Sequence, residues 1–329
     1  MMRAYGAEVV ITPTDVPGDS PDHYVNTAKR ISAETPGAFY VDQYHAPWNI
    51  DGHYHNTGRE IFQQTDGGKF DVFMGGTGTG GTVSGVGRYM KDFAPNVKII
   101  GVDPLGSVHY NLLKTGRLPA AYVYSVEGIG EDIECRAMDF SVVDDMVQID
   151  DWESFHVGRA LVREEGLFCG GSSGSIVAAA IKVAKELGPD KTIVVTLCDS
   201  GTRYISKYLS DKWMEKNGFF TEHKLLGPVE ELIARRSSLT AHADASKEEI
   251  QRMMDEGELD YLPLQDGDDF TAIATRDGNR LTIGGILYTE ARIEEMPHIL
   301  AKGEAALVMT GDGVAGVVTE KEYNARLGA

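Results

Sequence analysis

A buried strand that runs straight into a cluster of glycines leaves a chain few ways to fold. Phe70-Asp71-Val72-Phe73-Met74 is such an apolar run, with the length and composition of a strand covered on both faces. It is followed at once by Gly75-Gly76-Thr77-Gly78-Thr79-Gly80-Gly81-Thr82-Val83-Ser84-Gly85, and Val83–Phe93 has helical spacing. The glycines therefore occupy a strand-to-helix turn. There they allow positive φ and close approach of a ligand to the backbone. The unpaired N–H groups of the helix start and the helix dipole favour an anion, and Thr79 and Thr82 add hydroxyl donors. The pattern reads as a phosphate cradle. Gly76-x-Gly78-x-x-Gly81 also fits a dinucleotide fingerprint, with Asp103 ending the next strand where it could hold a ribose. A Walker loop is excluded, because no Gly-Lys-Ser/Thr follows. The loop by itself leaves a dehydrogenase and a phosphate-cofactor enzyme both open.

The rest of the 329-residue chain narrows the choice. A net charge of −19 argues against nucleic acid or an anionic membrane as a partner, since both demand a basic surface. No apolar run reaches membrane-spanning length. Cys135, Cys169 and Cys198 form no C-x-x-C and are an odd, sparse set, which points to reduced thiols and a cytoplasmic location.

Taken in order, Arg3–Gly6 reads as a helix end running into Ala7–Thr12, a strand expected to be buried. A strand that needs neighbours so early implies elements before Met1. Residues 13–21 read as a loop, Asp22–Glu34 as a helix and Phe39–Val41 as a short strand. Pro47, Trp48 and Asn49 read as loop. His45, His53 and His55 read as loop histidines without carboxylate or cysteine partners at metal-ligand spacing. A helix is expected from Thr57-Gly58-Arg59-Glu60. Val97–Val102 supplies a second strand and so a βαβ unit with a parallel sheet. Trp152–Glu165 is helical. A second turn, Gly170-Gly171-Ser172-Ser173-Gly174-Ser175, feeds an apolar helix over Ile176–Leu187. Lys191–Leu197 is a strand ending at Cys198-Asp199-Ser200-Gly201. This is a doubly wound α/β pattern, with its polar loops at strand C-termini, where such sheets bind ligands. Beyond Phe220 the composition changes. Residues 225–329 read as a separate small α+β domain joined near 218–228, with a helix over Glu248–Glu256 and strands at Asp260–Leu264, Ala305–Met309 and Gly316–Thr319.

Two polar loops at strand ends, one carrying serine, suit a ring with a phosphate better than a dinucleotide. At this point the chain through Phe219 resembles the pyridoxal-phosphate-dependent cysteine synthase/cystathionine β-synthase family. The resemblance rests on Gly78-Thr79-Gly80-Gly81-Thr82, Val126-Glu127-Gly128-Ile129-Gly130, Glu165-Gly166-Leu167, Gly170-Gly171-Ser172 and Asp199-Ser200. Tyr208-Leu209-Ser210-Asp211-Lys212-Trp213-Met214 favours the cystathionine β-synthase branch. The fold it implies is the tryptophan-synthase-β-like α/β architecture, fold type II of the pyridoxal-phosphate enzymes, here partial. Residues 1–50 would be a remnant of the smaller N-terminal catalytic subdomain and 51–220 the large cofactor-binding subdomain. Residues 225–329 would be a degenerate tandem regulatory domain.

The resemblance also implies roles. Gly78, Thr79, Gly80, Gly81 and Thr82 would hold the phosphate of pyridoxal 5′-phosphate. Ser172 would bond the pyridine nitrogen; its alternative is a helix N-cap. Asp199 would lie near the ring, or form a turn. Gln43 would face the substrate carboxylate. The family's Schiff-base lysine and its Ser-Gly-Asn-Thr-Gly loop lie upstream of the counterpart of Arg3–Val10. No lysine here matches, since Lys69, Lys91 and Lys98 read as solvated charges. Glu131 replaces a tyrosine of some members, and Cys198 a usual proline. The implied reaction is replacement of the serine hydroxyl by the thiol of homocysteine, in an N-terminally truncated form of a homodimeric enzyme. The alternatives are cysteine synthesis from O-acetylserine and sulfide, or a non-catalytic partner-binding paralogue. In the tail, Gly316–Glu322 is similar to a nucleotide-contacting turn. Thr319 and Glu322 are thus candidates for an adenosyl ligand, although Glu322 stands where aspartate is usual. The first half has Thr275 but Gly278 in place of the carboxylate.

Overall fold

A computed structural model of the chain describes residues 2–13, 16, 20–119, 121–220, 228–233, 236–267, 269–288, 291, 293–310 and 313–327. The chain divides into two compact units, Met1–Ala46 and Pro47–Ala329.

The first unit holds a 3-10 turn, Met2–Tyr5, and one helix, α1 (Tyr24–Glu34). The two expected strands do not form. Residues 7–12 and 39–41 belong to no sheet, and Val10, Ile11, Phe39 and Val41 are exposed. Apolar alternation makes a strand only where a neighbour pairs its backbone groups, and the described residues of this unit offer none. Gln43 sits in the turn that follows Asp42, a residue at φ 49°.

The second unit opens on a helix that starts ten residues before the expected one. It runs through α2 (Pro47–Gly52), a π-helical turn (His53–Gly58) and α3 (Arg59–Gln64). Pro47 occupies the first helical position, where its missing N–H costs nothing. Trp48, Asn49 and His53 are therefore helical, not loop. Strand β1 (Val72–Gly76) leads through the glycine turn into α4 (Gly81–Phe93), and β2 (Lys98–Pro104) follows. Then come α5 (His109–Thr115), β3 (Asp145–Ile149), α6 (Asp151–Glu164), α7 (Gly171–Leu187), β4 (Ile193–Val195) and α8 (Asp211–Lys216).

The four strands make one parallel sheet in the order β3-β2-β1-β4. Both faces are covered, as a parallel sheet requires. Val72, Met74, Ile100 and Val102 point into a core with Ile176 and Ala179 of α7, Phe155 of α6, and Tyr208 and Met214. On the other face, Gly75 packs against Val83 of α4, and Val83, Val86 and Met90 are fully buried. Because β1 is flanked by β2 on one side and β4 on the other, strand order reverses there. The crevice of such a sheet opens at that reversal, beyond the strand C-termini.

The expected join at 218–228 falls largely on 221–227, outside the described residues. The tail then contains β5 (Ala241–His242), α9 (Lys247–Gly257), β6 (Tyr261–Asp266), β7 (Asp269–Thr275), β8 (Arg280–Leu281), β9 (Ile283–Tyr288), α10 (Met296–Leu300), β10 (Ala305–Thr310), β11 (Gly313–Thr319) and α11 (Glu320–Leu327). It is a βαββ pattern used twice. In each copy the first strand pairs parallel with the second and the second antiparallel with the third. The second copy adds a closing helix, whereas β7 returns through a tight turn to β8. The tail touches the catalytic-type part through His298 of α10. Its ring stacks on Tyr122 at 4.3 Å, and Lys302 Nζ donates to Ala121 O at 3.1 Å.

Candidate active site

The glycine loop is held from below by a fully buried carboxylate. Asp103 Oδ1 accepts from Thr77 Oγ1 at 2.8 Å, and Oδ2 accepts from Tyr110 N at 2.9 Å. Burial pushes this carboxyl upward, opposed by the nearby His109 and by those donors. Asp103 is thus committed to the loop's foundation and cannot reach a ribose, which removes the dinucleotide reading. His109, also buried, donates from Nε2 to Gly78 O at 2.8 Å. Gly130 N donates to Thr77 O at 2.7 Å, so the 128–131 turn is tied to the loop. That turn is anchored upstream by Asp151, whose carboxylate accepts from Ser125 N and Val126 N at 2.6 and 2.8 Å.

The loop glycines have distinct tasks. Gly80 caps α4 at φ 89°, and a Cβ there would lie 2.5 Å from the Met138 Cα. Gly81 lies against Asn49, where a Cβ would be 2.0 Å from Oδ1. Gly78 differs: the three atoms nearest a Cβ there would be Gly128 O, Glu131 Oε1 and Ile129 Cα, at 3.8–3.9 Å. Across from it, a Cβ on Gly128, at φ 81°, would have only Ser172 Oγ within reach, at 4.0 Å. Gly78, Gly128, Glu131 and Ser172 are therefore neighbours between the start of α4 and the start of α7, and at neither glycine would a side chain's first atom meet a close obstacle.

Ser172 is 3% exposed. It is the second residue of α7, not its N-cap: Gly170 holds that position, and no side chain caps it. The glycine–serine run expected as a turn is thus the helix's first turn. Asp199 closes the crevice. Its carbonyl accepts from Gly170 N at 2.9 Å and its Oδ2 from Tyr204 Oη at 2.7 Å, while Oδ1 is buried without a partner among the described residues. The Tyr204 phenol is pushed up by burial and by this carboxylate.

Glu131 lies beside Gly78. Burial, then Asp132 and Asp103, raise its carboxyl to about 7. Lys69 and Lys98 are exposed, and Lys91 pairs with Asp144. Gln43 lies in the other unit.

Sequence reasoning missed three contributors. Asn49 Nδ2 donates to Thr79 Oγ1 at 3.1 Å, His53 Nε2 lies 3.2 Å from Thr82 Oγ1, and His109 holds Gly78. The four-residue spacing of Asn49 and His53 was the available signal, since it puts both on one helical face. In the tail, Thr319 and Glu322 meet each other: Glu322 Oε2 accepts from Thr319 N at 3.0 Å and from its hydroxyl. This is a capping box at the start of α11. Beside it, a cleft of about 430 Å³ between the two tail repeats is lined by Tyr261, Thr275, Arg276, Glu304, Thr319 and Lys321. No helix among the described residues is long and apolar enough to cross a membrane.

The residues present fit a phosphorylated pyridine. Gly78 and Gly128 put no side chain between the loop and Ser172, an anion-favouring helix start lies on the loop's side, and a neutral hydroxyl stands opposite. Comparison with known proteins agrees. Residues 1–199 match the family described as pyridoxal-phosphate dependent enzyme. The chain is 45% identical over 222 residues to cystathionine beta-synthase of Mus musculus, covering 68% of this chain and 39% of that protein. It is 38% identical over 235 residues to cystathionine beta-synthase of Saccharomyces cerevisiae, covering 68% and 46%. It is 33% identical over 231 residues to cysteine synthase of Dictyostelium discoideum, covering 67% and 60%. The chain spans about two fifths of the length of the mouse relative. With a parallel sheet of fold type II, the chain belongs to the pyridoxal-phosphate dependent enzymes, and pyridoxal phosphate is the cofactor that this membership indicates.

Proposed function

We propose that this chain forms the phosphate- and ring-holding part of an enzyme that replaces the hydroxyl of serine with the thiol of homocysteine, giving cystathionine. The observation that carries the reading is the meeting of Gly78, Gly128 and Ser172, two of them without side chains, between the starts of α4 and α7. When bound, pyridoxal phosphate supplies the electron sink that labilises bonds at the α- and β-carbons of an amino acid.

The chain's own groups have separable tasks in this reading. The backbone N–H groups of Gly78–Thr82, the hydroxyls of Thr79 and Thr82 and the start of α4 hold the phosphate dianion. Ser172 donates to the pyridine nitrogen. A hydroxyl leaves that nitrogen unprotonated, where a carboxylic acid would protonate it, and the weaker sink suits elimination at the β-carbon. Asp199, with Tyr204, excludes water from the ring's edge. Gln43 is assigned to the substrate carboxylate. The Schiff-base amine, which would take the α-proton, is assigned to residues other than Lys69, Lys91 and Lys98. For the tail, a paired regulatory module is the preferred reading, with an adenosyl ligand in the cleft beside Thr319 and Glu322. A cytoplasmic homodimer of 1–50, 51–220 and 225–329 subdomains completes the proposal.

The test is a titration of the purified chain with pyridoxal phosphate, followed by 31P NMR and absorbance, then borohydride reduction and peptide mapping. Binding that weakens in Ser172→Ala, without one dominant reduced lysine, supports the assignment. No binding overturns it. One dominant lysine within 47–220 overturns the assignment of the amine. In the active assembly, faster cysteine formation from O-acetylserine and sulfide than cystathionine formation would overturn the substrate pair.

A further inference from the structure

The helical segment 47–58 lies against the first turns of α4, and glycines make that approach possible. A Cβ on Gly85 would stand 2.5 Å from Ile50 O, and one on Gly81 2.0 Å from Asn49 Oδ1. This closeness brings two side chains, one turn apart, onto the hydroxyls of the glycine loop. Asn49 Nδ2 donates to Thr79 Oγ1 at 3.1 Å. His53 Nε2 lies 3.2 Å from Thr82 Oγ1, and its Nδ1 lies 2.9 Å from Thr57 Oγ1, four residues on within the same π-helical turn.

Each hydroxyl has one hydrogen to give. An amide nitrogen only donates, so it occupies one lone pair of the Thr79 oxygen and leaves the hydroxyl hydrogen available to the loop. For Thr82 the outcome depends on the His53 tautomer, because a neutral imidazole has one donor and one acceptor nitrogen. With hydrogen on Nε2, Thr57 donates to Nδ1, Nε2 donates to Thr82, and the Thr82 hydrogen faces the loop. With hydrogen on Nδ1, the Thr82 hydrogen is spent on Nε2, and only oxygen lone pairs face the loop. Burial pushes the imidazolium below its ordinary range, which favours the neutral ring.

We propose that Asn49 and His53 are positioning residues that turn the Thr79 and Thr82 hydroxyls into donors toward a bound phosphate, with His53 in its Nε2–H tautomer and Thr57 donating to Nδ1. The inference rests on the phosphate reading of the glycine loop. It follows that anion binding and the tautomer are linked: a phosphate in the loop favours Nε2–H, and the Thr57 hydroxyl accommodates either tautomer.

The test uses the full chain, labelled with 15N-histidine, with inorganic phosphate and pyridoxal phosphate as probes. The His53 ring is assigned by its loss in His53→Gln and its tautomer read from 1H–15N correlation. With phosphate bound, Nε2 is expected to carry the hydrogen. Thr57→Val is expected to weaken phosphate binding a few-fold, since Nδ1 loses its partner. His53→Leu and Asn49→Leu are each expected to weaken it about tenfold, the scale of one hydrogen bond to a charged group. His53→Gln, which keeps a donor at the Nε2 position, is expected to retain most of the affinity. An Nδ1–H tautomer in the bound state would overturn the inference, as would equal losses in His53→Gln and His53→Leu, or binding unchanged in all variants. If the unaltered chain binds neither probe, the phosphate reading fails first and this inference with it.

Discussion

Replacing Gly174 with alanine is expected to destabilise the second unit, whereas the same change at Gly52 is expected to stabilise it. At Gly174, on α7, a Cβ would stand 2.0 Å from Ser154 O and 2.7 Å from Gly158 N of α6. Carbon and oxygen approach to roughly 3.3 Å at closest, so the two helices must part by about 1.3 Å. A gap of that size forfeits about a quarter to a half of each dispersion contact across the interface. It also strains the Ser175–Ser154 hydroxyl bond, now 2.7 Å. Because the obstacle is backbone, the overpacking cost should approach the top of the ordinary range, about 3 kcal/mol. The gain in helix propensity offsets about 1 kcal/mol of that, leaving a net loss of about 2 kcal/mol. At roughly 2–4 °C per kcal/mol for a domain of this size, Tm should fall by about 4–8 °C. Gly52 has helical φ and nothing within 4 Å of a Cβ, so only the propensity gain of about 0.5–1 kcal/mol applies. Thermal and urea melts by circular dichroism read both. Gly174→Ala should also weaken pyridoxal phosphate binding by displacing Ser172, two residues away on the same helix. A neutral or stabilised Gly174→Ala, or shifts of the same sign in both variants, would refute the packing argument.

Three further outcomes are expected. Glu131 is held at about 7 in the folded chain against an ordinary 4.5. The folded state therefore keeps a proton that the unfolded chain has lost, and the stability this confers is lost as pH rises from about 4.5 through 7; Glu131→Gln should flatten that slope in urea midpoints measured from pH 5 to 8. His109→Leu removes the bond to Gly78 O, and should cost about 1 kcal/mol in a denaturant melt together with weaker phosphate binding. Glu322→Ala breaks the capping box of α11, and should cost about 1 kcal/mol locally, seen as faster amide exchange confined to α11.

The parallel core was legible because its strands are apolar runs that end in glycine or a polar turn, a pattern set by burial on both faces. The strands expected at 7–12 and 39–41 were misread for the complementary reason. Val10, Ile11, Phe39 and Val41 have strand composition, but pairing needs a neighbour, which composition does not reveal. The helix beginning at Pro47 was hidden by residues with weak helical preference, among them Trp48, Asn49, Gly52 and His53, and tertiary packing on α4 overrides that preference. The loop glycines read alike in the sequence, yet their surroundings differ: Gly78 has no close obstacle to a side chain, whereas Gly80 and Gly81 are needed for packing against Met138 and Asn49. Asp103 had the right spacing for a ribose, but burial beneath the loop gives it another task. Ser172 was singled out through resemblance alone, since its residue type fits an N-cap equally well.

The pairing of β4 with β1 also carries a consequence for how the protein is made. Thr192 N donates to Asp71 Oδ2 across 121 positions of the chain, and β4 is the last strand to join the sheet. Closing so long a loop is slow compared with local helix formation. During synthesis the glycine loop, its helix and the 128–131 turn emerge well before the strand that places Asp199 opposite them. A nascent chain halted near residue 187 would carry a formed anion cradle with one wall missing, and cofactor retention on the ribosome would report when the sheet has closed.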